Sequence, residues 1–328
     1  MFVTSDIFDL ERIAAWRKIP RWREHLLGGI AVHGIEYPGP EAHAQFFVRA
    51  AAICDLSDDM KFAGYAPRMA ERLRPLKPKS LERLARGELR GAKNAEIIMV
   101  RGERRAVGME DDTISFGGES SGSPRATRTM SGPKPVADYP YRAFDADFIF
   151  PADGRLLETG TWLLRVAAEL LRPDYGYVFI RDALCCPGNY SWGTGCPLDY
   201  GRLNLDDTDE VSAWREFTGE GRLWTGEWLQ LRDLFQINLF SKRRLSVPTE
   251  RLCYLGDWIN AAPGRGRMEE IGCDRVLWIL TDAEMYDIRP FLNRARLLRS
   301  ARPRIYRDLP IEQERPDPGT DRRVMTKH

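Results

Sequence analysis

Three thiols, Cys185, Cys186 and Cys196, fall within twelve residues and form the densest cluster of reactive side chains in the sequence. Such a trio could supply three ligands to zinc, or one member could act as a nucleophile. Zinc also wants a fourth ligand and a CxxC-like bite, and this stretch offers neither. A nucleophilic thiol needs a base or a cation beside it to lower its pKa. Arg181 is near along the chain, but no histidine is. Packed, reduced thiols are the expectation.

Downstream lie the carboxylates Asp199, Asp206, Asp207, Asp209 and Glu210. They could bind a cation or share general acid and base work. The simpler reading is an acidic helix start that complements the macrodipole, which would also serve as an anionic docking patch. Histidine, the usual base near neutral pH, occurs only at 25, 33, 43 and 328, with spacings that suit no common metal pattern. His33, in an apolar stretch, reads as a structural strand residue. Trp192, Trp224 and Trp228 stand in glycine-rich or irregular segments, where a large aromatic tends to be partly exposed and to act as an interface anchor.

Phosphate loops, dinucleotide fingerprints, HExxH, EF-hand loops and the nucleophile elbow are all missing, so no cofactor or metal is expected. Charge is balanced at 49 basic against 48 acidic residues, which argues against a nucleic-acid partner despite 41 arginines to 8 lysines. Met1–Trp16 alternates apolar with charged residues, unlike a secretion signal, and no window approaches about 18 consecutive apolar residues. These features predict a cytoplasmic protein with no membrane segment.

The elements that must carry these groups are legible in part. Gly28–Tyr37, Glu96–Arg101, Tyr141–Phe150, Tyr175–Arg181, Asp233–Ser241 and Arg275–Leu280 read as strands. Helices are expected near residues 7–14, over 41–53 behind Pro40, in short pieces across 67–90, and near 207–217. Another is expected over 156–171, with Trp162, Leu163, Val166, Ala167 and Leu170 on its apolar face; the rest are over 252–262 and after the capping box Thr281–Glu284. Glycine, serine and proline dominate 117–138, which predicts a long flexible loop or linker. The expected organisation is an N-terminal region over 1–116, that linker, a second region over 139–300, and an extended tail over 301–328. No regular alternation of strand and helix is present, so the fold class is α+β: a mixed or mainly antiparallel sheet flanked by helices.

One stretch carries a resemblance. Asn238-Leu239-Phe240-Ser241, Arg244-Leu245, Leu255-Gly256-Asp257-Trp258-Ile259, Gly264-Arg265-Gly266, Leu277-Trp278-Ile279 and Ile288-Arg289-Pro290-Phe291-Leu292 together resemble the C-terminal portion of bacterial polymorphic-toxin and type VI immunity proteins. Tyr175–Asp182 is similar to the same group, so the resemblance runs over roughly 141–298 and leaves the first 100 residues unmatched. It implies a cytoplasmic α+β binder that neutralises a cognate toxin without enzymatic activity. Its residues are packing residues, so no site transfers. The expected partner is another protein, possibly a toxin domain, met at Trp192, Asp199, Asp206, Asp207, Asp209, Glu210, Trp224 and Trp228. The alternatives are a hydrolase or transferase using Cys185 or Cys186 with Asp182 or Asp199, and a self-assembling structural component.

Overall fold

A computed structural model describes residues 26–36, 38–55, 60–64, 74–75, 83, 97–101, 116–122, 144–151, 154–182, 230–249 and 253–298. The strands, in chain order, are β1 (Leu26–Gly34), β2 (Met60–Gly64), β3 (Arg74–Pro75), β4 (Ile97–Arg101), β5 (Phe116–Gly122), β6 (Phe144–Pro151) and β7 (Tyr175–Asp182). They continue with β8 (Ile237–Ser241), β9 (Pro248–Thr249), β10 (Cys253–Tyr254), β11 (Arg267–Ile271) and β12 (Arg275–Ile279). The helices are α1 (Pro40–Ile53), α2 (Leu156–Leu170), α3 (Lys242–Leu245), α4 (Leu255–Asn260) and α5 (Asp282–Arg294).

Ten strands form one sheet in the order β11-β12-β8-β7-β1-β6-β5-β4-β2-β3, and β9 and β10 form a separate pair. Every neighbouring pair in the large sheet is antiparallel. The α+β class with an antiparallel sheet is thus as expected. β1 lies between β6 and β7, so residues from both sides of 117–138 share one sheet. The start of that segment is corrected: 117–122 belong to β5, because its glycines and serines take their ladder bonds from β4 and β6.

Alternate residues of each central strand feed opposite cores, as the period of two requires. Ile30, Val32, Phe148, Phe150, Val178 and Leu239 meet Phe46 and Phe47 of α1 and Leu163 and Leu164 of α2. On the other face Ala31, Tyr177, Phe179, Phe240 and Trp278 meet Leu255 and Ile259 of α4 and Met285, Ile288 and Leu292 of α5. Pro40 opens α1 in its first turn, and Thr281 with Glu284 forms the expected capping box of α5.

Several boundaries differ from expectation. Trp162 is 56% exposed, because α2 packs through Leu156, Gly160, Leu163, Leu164, Val166, Ala167 and Ala168 and leaves the tryptophan outside that arc. The strand expected at 233–241 begins at Ile237; ahead of it Leu231 bridges to Leu298 and Asp233 accepts from the Leu234 amide. The helix expected over 252–262 is α4 alone, since Cys253 and Tyr254 pair with β9. Arg74 and Pro75, within the stretch read as helical, pair with β2. β11 has no counterpart in the sequence reading; its charged side chains suit an outer strand and hide the alternation. The helices expected near 7–14 and 207–217 and the tail from 301 lie outside the described residues.

The glycine pair in β1 is a close-approach feature. Phe179 lies over the Gly29 backbone, and a Cβ on Gly28 would meet the Phe150 ring at 2.7 Å and Leu156 at 2.8 Å. Gly29→Ala forces the Phe179 ring out of its place in the second core, and unfolding by urea is expected to show a loss of about 1–3 kcal/mol. An unchanged midpoint would refute this packing account.

Candidate functional site

The side chains singled out in the sequence, Trp192, Asp199, Asp206, Asp207, Asp209, Glu210, Trp224 and Trp228, lie outside the described residues, as do Cys185, Cys186 and Cys196. Asp182 ends β7, paired through its backbone with Leu26.

Within the described residues most of the buried polar side chains named below lie on one face of the sheet, along two cross-strand rows, while His43 of α1 is buried on the other face. Register places Asp145, His33, Tyr175 and Phe240 side by side on β6, β1, β7 and β8. The next row holds Asp147, Ala31, Tyr177, Asn238 and Trp278. His33, expected to be a structural strand residue, is buried with Nδ1 2.7 Å from Asp145 Oδ1. Its ring lies 6.0 Å from both tyrosine rings, stacked on Tyr175.

The covering layer meets these rows with guanidinium groups. Arg232 Nη1 donates to the Tyr177 hydroxyl at 2.9 Å, and its amide donates to the Tyr175 hydroxyl at 3.2 Å. Arg244 sits 5.3 Å from the Tyr175 ring centroid and donates to the Gln230 carbonyl at 2.7 Å. Arg289 donates to Asp233 at 2.5 Å and to the Leu234 carbonyl at 3.2 Å. Asp174, at the head of β7, accepts from Ser241 Oγ at 2.9 Å, Arg243 at 3.0 Å and the Ile35 amide at 3.1 Å.

These contacts limit the chemistry. Burial drives the Tyr175 phenol well above its ordinary range, so it stays protonated at neutral pH and serves as a hydrogen-bonding group rather than a base. Burial also lowers the Arg244 guanidinium to about 10, which leaves it charged. The His33–Asp145 pair has the form of an oriented base, yet it is wedged between two strands and the tyrosine rings. Among the described residues no group of His, Cys, Asp and Glu is placed to hold a metal ion.

Residues of the immunity-protein resemblance occupy this second layer, and their polar members are used inside it. Asn238 donates to the Phe235 carbonyl at 2.6 Å, Ser241 accepts from the Arg244 amide at 3.2 Å, and Trp278 Nε1 donates to the Arg265 carbonyl at 2.7 Å. Arg265 lies 4.4 Å over Trp258, which stacks on Phe291 at 5.0 Å. The reading of the motif as packing is consistent with these contacts. Asp145, Asp147, Arg232 and Asp233 were not singled out in the sequence. The clue for the first two was two carboxylates at a spacing of two in an otherwise aromatic strand; for Arg232 and Asp233 no local pattern marks burial.

No family model matches the chain, and no curated protein matches it. Among solved structures the chain is similar to the Pseudomonas aeruginosa T6SS protein PA0821, at 12% identity and a TM-score of 0.48, covering 82% of this chain and 71% of that one. Among the described residues no helix is long and apolar enough to cross a membrane.

Proposed function

We propose that this chain is a protein-binding protein of the cytoplasm, an immunity factor that neutralises a cognate bacterial toxin. The immunity part of the reading rests on the sequence resemblance over 141–298. The observation that carries the binding part is where the aromatic side chains sit. Polar residues of the resembling segment are engaged in holding the second layer together, while Trp162 and Tyr286 project from α2 and α5 at 56% and 77% exposure. Around Trp162 the α2 surface is lined by ion pairs, Arg165 with Glu269 and Arg49 with Glu169. A large exposed aromatic framed by charges is the usual form of an interface anchor. We also assign the acid-rich stretch Asp199, Asp206, Asp207, Asp209 and Glu210, with Trp192, Trp224 and Trp228, to partner contact, and its charge would suit a basic toxin.

The test is co-expression with the product of the gene encoded immediately beside this one, in a host that the product kills. Growth is expected to be restored, and the two chains are expected to co-purify. Trp162→Ala, and separately the combination Asp206→Asn, Asp207→Asn and Trp224→Ala, should each weaken the complex roughly tenfold or more by calorimetry. A neighbour that is harmless, or that kills undiminished in the presence of this chain, would sink the reading.

A further inference from the structure

Among the described residues the large sheet ends at β11. No residue from Arg267 to Ile271 is buried, whereas Arg275, Val276, Leu277 and Trp278 of β12 all are. The β11–β12 register runs through five consecutive pairs without a bulge, and the strand contains no proline. Among the described residues nothing pairs with the outer side of β11. Proteins normally guard such an edge with a proline, a bulge, a cover or unmatched charge, because its row of N–H and C=O groups recruits other strands. β11 does carry charge, but that charge is matched within the chain. Glu269 is held by Arg165 and by Arg267 at 3.4 Å, and Glu270 by Lys242 at 2.7 Å. These side chains frame the edge without leaving a net repulsion along it.

An antiparallel strand that pairs with its own copy has one residue on the two-fold axis, facing its counterpart. Centring on Glu269 or Glu270 opposes two carboxylates, and centring on Arg267 opposes two guanidinium groups. Centring on Ile271 runs the pairing into the turn at Gly272, whose φ of +61° is not extended. Centring on Met268 sets Arg267 opposite Glu269 of the second copy twice, with the two methionines between them. Opposite charges facing each other across a strand pair stabilise it, and like charges do the reverse. Only this register among the five is self-complementary.

We propose that two copies of this chain pair antiparallel through β11, with Met268 on the two-fold axis, so that one sheet continues across the dimer. The matched register argues for a second copy over a strand from an unrelated protein. The Arg267–Glu269 pairs are exposed, so the dimer weakens as salt rises.

Sedimentation and light scattering of the full chain from about 1 µM to about 100 µM supply the test. The mass is expected to climb from 37.6 kDa towards twice that value, and to fall back in high salt. Arg267→Glu places like charges at both ends of the register and is expected to give a monomer at every concentration. Its side chain is 69% exposed, so the melting temperature should stay put. With Cys273, which is exposed, replaced by serine, Met268→Cys is expected to cross-link into a dimer on oxidation, and Glu270→Cys is not. A mass fixed at that of one chain overturns the proposal, including the case in which only an unrelated strand binds there. Dimerisation that survives Arg267→Glu, or equal cross-linking from both cysteine variants, also overturns it.

Discussion

Replacing Asp233 with alanine is expected to lower the unfolding free energy by about 3–5 kcal/mol, with no change in the steepness of the denaturant transition. Asp233 is fully buried and accepts both from Arg289 and from the Leu234 amide. Arg289 reaches from α5 into the second core, where it also donates to the Leu234 carbonyl at 3.2 Å. Removing the carboxylate leaves a cation in an apolar layer, and that desolvation cost is no longer offset. The sign of the pair's own worth is a separate question. Asp233→Leu with Arg289→Met keeps volume without charge, and it should recover most of the loss, because a buried pair often does little better than apolar residues of its size. A loss under about 1 kcal/mol in the single variant would show that the pair does not hold α5 to the segment ahead of β8.

The second large effect is acid sensitivity centred on His43. This residue of α1 is buried with its ring edge-on to Phe144 at 5.2 Å, and burial lowers its pKa from 6.5 to about 3. The unfolded chain therefore binds a proton that the folded chain refuses between these two values. Its contribution is whole above pH 6.5 and is lost as pH falls through that window. At about 1.4 kcal/mol per pH unit the accumulated cost nears roughly 5 kcal/mol by pH 3, where it levels off. Denaturant titrations across the window should find His43→Leu much less acid-sensitive than the parent chain. Parallel acid limbs for the two proteins would refute this role for His43.

How much of this was legible depended on whether a signal was local. α1, α2 and α5 could be read because Pro40, the apolar spacing after Leu156 and the Thr281–Glu284 box act within a turn or two of chain. The central strands could be read because both faces are buried, and a run such as Tyr175 to Ile180 has few other uses. β11 escaped notice because a strand none of whose residues is buried tolerates arginine and glutamate, which erases the alternation. Trp162 was misplaced because helical spacing gives the width of an apolar arc and not which neighbour covers it.

The densest chemistry in the sequence and the densest polar cluster in the described structure are made of different residues. The thiols and the acidic run at 185–210 are visible as neighbours along the chain. The buried seam is assembled from His33, Asp145, Tyr175, Arg232 and Arg289, which are far apart in sequence and meet only by cross-strand register and helix packing. By themselves the residues determined the α+β class, the antiparallel bias and the ends of the longer helices, because propensity, capping and periodicity are short-range. Tertiary structure alone decided that β1 enters between β6 and β7 and that four arginines, Arg232, Arg244, Arg275 and Arg289, are buried. Burial and register are set by contacts across the sheet, and no window of sequence contains both partners.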